Sequence, residues 1–220
     1  MVNVAAFDLD GTVIDGESPL KLTMSLVRRS QMPARTSLGM LWWGIKYRLR
    51  LPQVESTPRE LLFSVLTEPS VEDVDAEILE IFEQRIRKHI RPGAVEEIER
   101  CKADGMAVVL ASASFKPITT TIVADLGFDG HVSTVMEERD GHYTGKVLGA
   151  PVQGEEKARK LVELCDARYG RGGYRIARAY SDHYSDIPLL ELAENAYVVD
   201  PDSFLKRTAR QHGWPLLDWD

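Results

Sequence analysis

A short apolar run that ends abruptly in carboxylates constrains this chain most. Val4-Ala5-Ala6-Phe7 passes without a spacer into Asp8-Leu9-Asp10-Gly11-Thr12-Val13-Ile14-Asp15. An unbroken apolar stretch of strand length suits a strand buried on both faces, and such strands belong to parallel sheets covered by helices. At the carboxyl end of a strand in an open α/β sheet the loops diverge and leave a crevice where ligands bind. Asp8 and Asp10 sit at that end. Gly11 is expected to turn the backbone there and let both converge on one ligand. Like charges held that close repel, which makes the pair costly without a cation. The implied partner is a hard divalent ion, Mg²⁺ before others, because it takes a few carboxylates together with water and phosphate.

A chain of 220 residues can hold one good core with a smaller appendage, or two small domains. Its apolar fraction of 44% and charged fraction of 28% place it with soluble globular proteins and away from disordered ones. No basic segment followed by an apolar one precedes the first strand, and no apolar run reaches the length of a bilayer span, so a cytoplasmic location is expected. Cys101 and Cys165 match no metal or redox spacing and are expected to be free buried thiols. The net charge of −7 is unevenly spread: Ser18 to Val54 holds seven basic residues and no acidic one. Such segregation speaks of partners more than of fold. Within that stretch, Met40-Leu41-Trp42-Trp43 lies beside Lys46, Arg48 and Arg50. It could dock on anionic lipid, steer anionic metabolites toward a crevice, or pack internally.

Further along, residues 18 to about 91 read as helices. Ser18-Pro19 opens one that Pro33 ends, Leu38 to Leu51 is a second, and Thr57-Pro58 starts a third through Leu66. Ser70 caps a fourth, with Val74, Ile78, Ile81, Phe82 and Ile86 at helical spacing. From Arg91-Pro92-Gly93 the strand and helix alternation resumes. A helix through Arg100 leads to the strand Ala107 to Ala111 and the loop Ser112-Ala113-Ser114, with Pro117 near the start of a helix to about Leu126. Asp140-Gly141 between β-prone stretches signals a two-residue hairpin. Gly154-Glu155-Glu156-Lys157 opens a helix that ends before Gly170, Arg175 to Tyr180 is a strand closing on Ser181-Asp182-His183-Tyr184-Ser185-Asp186, and a helix follows from Ile187. Ala196 to Val199 is the last clear strand, and Gly213 to Leu217 a short edge element in which Trp214 is expected to be buried. The order implies a doubly wound parallel sheet.

Three strands thus end in polar loops that offer Asp8 and Asp10, then Ser112, then Asp182 and Asp186, with Lys157 at a helix start between the last two. A carboxylate nucleophile, an acid or base, further carboxylates for a metal, and donors for phosphoryl oxygens are the groups phosphoryl transfer needs. The strings FDLDGTVID, VVLASASF, GEEKARKL and YSDHYSDIPLL resemble, in order, the four motifs of the haloacid dehalogenase superfamily of phosphatases. The helical block between the first two resembles the cap of its phosphoserine phosphatase-like branch, subfamily IB. This resemblance implies a Rossmann-like α/β core over 1–16 and 92–220, with an inserted helical cap of C1 type over 17–91.

Carried over by position, the resemblance implies that Asp8 is the nucleophile forming an aspartyl-phosphate and Asp10 the acid and then the base. It implies Mg²⁺ on the Asp8 carboxylate, the Asp10 carbonyl and Asp182, with Asp186 supporting the metal's waters or Lys157. Ser112 and the adjacent Ala113 N–H would donate to phosphoryl oxygens, and Lys157 would neutralise their charge. Glu17 falls at the spacing of a substrate-ammonium contact, and Arg59 is the nearby candidate for a substrate carboxylate. Three departures weigh against phosphoserine itself: Ser112-Ala113-Ser114 replaces Ser-Gly-Gly, Gly11 stands where those enzymes carry Ser, and the third cap helix is apolar through Leu61, Leu62, Phe63 and Val65. His183 is read as a loop residue, since a hard-oxygen site does not call for imidazole. The expected function is Mg²⁺-dependent hydrolysis of a small phosphorylated metabolite by a monomer or homodimer, with no nucleic-acid partner. The alternatives are a lipid-phosphate phosphatase that meets membranes through the basic stretch, and a non-catalytic phosphate-binding member.

Overall fold

The computed structural model describes residues 1–16, 18, 21, 22, 25 and 66–219. The expectations for Glu17, Arg59, Met40 to Trp43 and the helices between Pro19 and Val65 lie outside those residues. The chain divides into two compact units: Met1–Glu17, His89–Thr134 and Ala150–Asp220 form the first, and Ser18–Lys88 with Val135–Gly149 the second.

The first unit is built on a six-stranded parallel sheet of order β3-β2-β1-β6-β7-β8: β1 Val2–Phe7, β2 Ala107–Phe115, β3 Gly130–Thr134, β6 Tyr174–Ser181, β7 Asn195–Val199 and β8 Leu216–Leu217. β1 lies centrally, and Val4 through Phe7 are wholly buried, as an apolar run covered on both faces requires. Val4 and Ala6 face one core with Leu161 and Cys165 of α4 (Glu155–Tyr169), Leu189 and Leu190 of α5 (Ile187–Glu191), and Leu205 and Ala209 of α6 (Ser203–His212). On the opposite face α2 (Pro92–Ala103) and α3 (Lys116–Leu126) cover the sheet. There Phe7 stacks on Tyr180 at 4.4 Å and meets Phe128 edge-on at 5.8 Å. Full burial of Phe7 contributes about 2–3 kcal/mol, offset in part by lost rotamer freedom.

Three details differ from the pattern in the sequence. β2 continues as extended chain to Phe115, and its pairing with β3 is interrupted between Ala111 and Phe115. β3 has no strand pattern of its own, because Gly130-His131-Val132-Ser133-Thr134 carries one large apolar residue and lies at the sheet's edge. α6 lacks a clear apolar periodicity for a related reason: it is a mostly polar helix that buries only Leu205 and Ala209. Cys101 and Cys165 are free and buried. Trp214 is partly buried, packs against the core and pairs with His212 at 4.6 Å. No helix among the described residues is long and apolar enough to cross a membrane.

In the second unit α1 (Val71–Ile81) is capped by Ser70, whose hydroxyl accepts from Asp73 N at 3.1 Å. It buries Val74, Ile78 and Ile81, and a π turn, Phe82–Ile86, continues the apolar face. β4 (Met136–Arg139) and β5 (His142–Val147) form an antiparallel hairpin turning at Asp140-Gly141, both at positive φ. This hairpin falls within the 92–220 span of the sequence expectation but groups with the second unit. Val71 N donates to Gly141 O at 2.9 Å, and the Tyr143 hydroxyl to Asp75 at 2.8 Å.

Candidate active site

Asp8 follows β1 directly, and its amide extends the ladder by donating to Tyr180 O at 3.0 Å. The chain then curls tightly, with Ile14 N donating to Leu9 O at 2.9 Å. Gly11 sits at φ +78°, which meets the expected turn, and a Cβ there would lie 2.1 Å from Asp182 Oδ2. Any side chain at this position would occupy the place of the Asp182 carboxylate. Glycine is therefore required twice, once for its backbone conformation and once for the space it leaves.

Asp182 and Asp186 belong to the loop that follows β6. The Thr12 hydroxyl lies 3.3 Å from Asp8 Oδ2 and 3.2 Å from Asp182 Oδ1, so one buried oxygen bridges carboxylates from the two ends of the chain. Lys157, in the first turn of α4, donates to Asp8 Oδ1 at 2.8 Å and to Asp186 Oδ2 at 2.6 Å, all three side chains being almost fully buried. Ser181 also donates to Asp186 Oδ2, at 2.7 Å. Asp186 stands at the start of α5 without capping it through its side chain, and its Oδ1 is buried with no hydrogen-bond partner among the described residues.

Burial pushes the Asp8 carboxyl up to about 7, with Lys157 pulling against it and Asp186 adding to it. One ammonium shared between two buried carboxylates cannot compensate both, so desolvation wins at Asp8. Burial also works against the charge on Lys157, but Asp186 and Asp8 overcome it and hold the ammonium above the ordinary lysine range.

From β2, Ser112 is buried, and its hydroxyl oxygen accepts from Ser114 N at 3.0 Å, which leaves its own hydrogen free to donate. The Ala113 carbonyl accepts from the Thr134 hydroxyl at 2.8 Å. The Ser114 hydroxyl donates to Asp10 Oδ2. These bonds form two groups: Lys157 joins Asp8 to Asp186 and Thr12 joins Asp8 to Asp182, while Ser114 joins Asp10 to Ser112. The His183 ring pairs within its own loop: its Nδ1 pairs with Ser185 Oγ at 2.9 Å and accepts from Ser185 N at 3.3 Å.

Thr12, Ser114 and Ser181 also bond to the candidate residues, although none of the three carries an expected role. Thr12 and Ser181 each adjoin a carboxylate string, which is the one signal that marks them.

Two carboxylates sharing a hydroxyl, and a third with a buried orphan oxygen, form a set of hard oxygen donors short of positive charge, which suits a divalent cation. No closed group of three or more His, Cys, Asp or Glu side chains able to hold a metal exists among the described residues. Among the described residues Ser114 engages Asp10 Oδ2, Lys157 and Ser181 engage Asp186 Oδ2, and Asp8 and Asp182 meet at Thr12. An ion with few protein ligands that keeps its waters fits this set; a fully enclosed one does not.

The model for haloacid dehalogenase-like hydrolases matches residues 5–191. A phosphoserine phosphatase of Mycobacterium tuberculosis is 31% identical over 98% of this chain and 70% of its own length. A histidinol-phosphatase of Neisseria meningitidis serogroup C is 27% identical over the full length of both proteins. A solved structure of a protein of unknown function from Bordetella pertussis superposes with a TM-score of 0.86 at 25% identity over the whole of both chains.

Proposed function

The chain belongs to the haloacid dehalogenase-like hydrolase family and is a phosphatase; from that premise we propose that it hydrolyses a small phosphorylated metabolite, with Mg²⁺ as cofactor and Asp8 as nucleophile, in the cytoplasm. The observation that carries this reading is the Asp8 carboxylate, bonded on one oxygen to Lys157 at 2.8 Å and bridged from the other to Asp182 by Thr12. A carboxylate so placed is desolvated, oriented and flanked by positive charge, as an attacking group for phosphorus needs to be.

In the first step an Asp8 oxygen bonds to phosphorus as the ester oxygen leaves, and Asp10 gives that oxygen its proton. In the second, Asp10 takes a proton from water, the water oxygen bonds to phosphorus, and the Asp8–phosphorus bond breaks. The sum is ester plus water to alcohol plus phosphate, with both carboxyl groups restored. Ser112 and the Ala113 N–H donate to phosphoryl oxygens, and Lys157 balances their charge; one such donor is worth about 3 kcal/mol in comparable sites. The Asp8 carboxylate, the Asp10 main-chain carbonyl and Asp182 would hold Mg²⁺, while Asp186 holds Lys157. When bound, the ion supplies charge neutralisation between substrate and nucleophile and polarises the phosphoryl group.

Phosphoserine and histidinol phosphate, named for two relatives, are both monoesters of small molecules, which supports that substrate class. The experiment is hydrolysis of a monoester panel with Mg²⁺: p-nitrophenyl phosphate, phosphoserine, histidinol phosphate, sugar phosphates, nucleotides and lipid phosphates. Wild type should turn over at least one, and Asp8→Asn should lose about 10³-fold or more of that rate. Equal inertness of the two proteins across the panel overturns the proposal.

A further inference from the structure

We propose that Thr134 is a positioning residue for phosphoryl recognition: its hydroxyl belongs to a hydrogen-bonded relay that holds the Ser112 oxygen and leaves the Ser112 hydrogen to the phosphoryl group. The inference rests on the role given to Ser112 in the phosphatase reading above.

The loop that carries Ser112 is a bulge in a parallel pair. Ala111 lies beside Val132 and Phe115 beside Thr134, so Ser112-Ala113-Ser114 stand against Ser133 alone. A bulge takes backbone groups out of the ladder, and each of them needs another partner. Thr134 supplies one. Its buried hydroxyl donates to Ala113 O at 2.8 Å and accepts from Val152 N at 3.1 Å. The peptide unit that begins with the Ala113 carbonyl ends with the Ser114 N–H, which donates to Ser112 Oγ at 3.0 Å. That unit is planar, so Thr134 grips one side of it and Ser112 is held on the other.

The direction of every bond is forced, because an amide N–H only donates and a carbonyl only accepts. The hydrogens therefore point one way, from the Val152 N–H through the Thr134 hydroxyl and the Ala113–Ser114 peptide to Ser112. In such a chain each bond polarises the next, which makes the last hydroxyl a stronger donor as well as a fixed one. Without the Thr134 hydroxyl the peptide can rock, and the Ser112 oxygen with it. The same hydroxyl also holds Val152, ahead of the helix that carries Lys157. A route through Ser112 must therefore be separated from one through Lys157.

The experiment measures kcat/KM for the best ester of the panel, with Mg²⁺, in wild type, Thr134→Ser, Thr134→Val, Ser112→Ala and the double variant Ser112→Ala with Thr134→Val. Ser112→Ala should lose about 10²-fold and Thr134→Val about tenfold, while Thr134→Ser, which keeps the hydroxyl, should stay within about twofold of wild type. The double variant should be no slower than Ser112→Ala alone, because the relay then has nothing left to hold. Losses that multiply to about 10³-fold overturn the inference, since they place the effect at Lys157 or in a general loosening. Equal rates in wild type and Thr134→Val overturn it as well, and so does a Thr134→Ser as slow as Thr134→Val. In each of these cases the phosphatase reading stands on the turnover of the wild type. Thr134→Val leaves the Ala113 carbonyl and the Val152 N–H without this partner, so melting curves first establish that it folds. Where it does not, Thr134→Cys, whose thiol donates weakly, takes its place in the same cycle with the same two outcomes. A wild type inert across the panel overturns the phosphatase reading and this inference with it.

Discussion

Lys157 stands between two buried carboxylates, and the charge there does not balance within the site. The Asp8 carboxyl, raised by burial from 3.8 to about 7, is the group that records the deficit. Its sign is fixed by linkage: between those two values the folded chain holds a proton that the unfolded chain has released. The stability it contributes without metal is full below about 3.8 and is lost as pH rises through about 7. A divalent cation needs the ionised carboxylate and reverses the trend. The rise in melting temperature caused by millimolar Mg²⁺ over EDTA should accordingly be small at acid pH and grow as pH passes about 7. Thermal melts with and without the ion at several pH values check this, and an increment independent of pH would contradict it. Asp8, Asp10, Asp182 and Asp186 were legible as candidates because charges are out of place at the ends of buried strands, and Lys157 because a cation at a helix start runs against the helix dipole. Thr12, Ser114 and Ser181 were not, because a hydroxyl in a loop fits a turn, a cap or a site equally well until its partner is seen.

At the scale of elements, the loop after β6 depends on a residue from the next crossover. The Asp202 carboxylate caps α6 by accepting from Phe204 N at 2.7 Å and Leu205 N at 3.0 Å, and it also accepts from Tyr184 N at 2.7 Å. Its own amide donates to Asp182 O at 3.0 Å. One residue thus ties the start of a helix to the backbone of a candidate metal ligand. Asp202→Ala should cost about 1 kcal/mol for the cap alone. It should also raise the Mg²⁺ concentration for half-maximal activity several-fold, because the Asp182 loop loses a tie. Asp202→Asn, which keeps an accepting oxygen, should recover most of both. Equal Mg²⁺ requirements in all three proteins would make Asp202 a cap and nothing more. The parallel sheet itself was readable because its central strands are apolar runs closing on polar loops, while α6 and β3 lie at the rim, where a strand or helix can be polar and still pack.

At the scale of the molecule, the candidate site draws on 8–12, 112–114, 157 and 181–186, segments that meet only once the sheet of the first unit has formed. Its carboxylates face a substrate that is itself an anion, in a chain of net charge −7, so approach must be helped by something other than the average field. The sequence shows where that help can originate: seven basic residues and no acidic one between Ser18 and Val54. Spacing alone could not say what they meet, since an anionic lipid surface and a dianionic metabolite ask for the same charges. Steering of a free metabolite acts through the long-range field, and a Debye length of about 10 Å at about 0.1 M salt screens it strongly. If the stretch steers, kcat/KM for a dianionic ester should fall about two- to five-fold from about 20 to about 300 mM NaCl, and a Lys46→Gln, Arg48→Gln, Arg50→Gln triple variant should flatten that slope. A slope unchanged by the triple variant removes steering as the role of these side chains. Sedimentation of the wild type, but not the variant, with acidic vesicles at low salt would assign the charges to a membrane surface instead, because only there does binding persist with no phosphomonoester present.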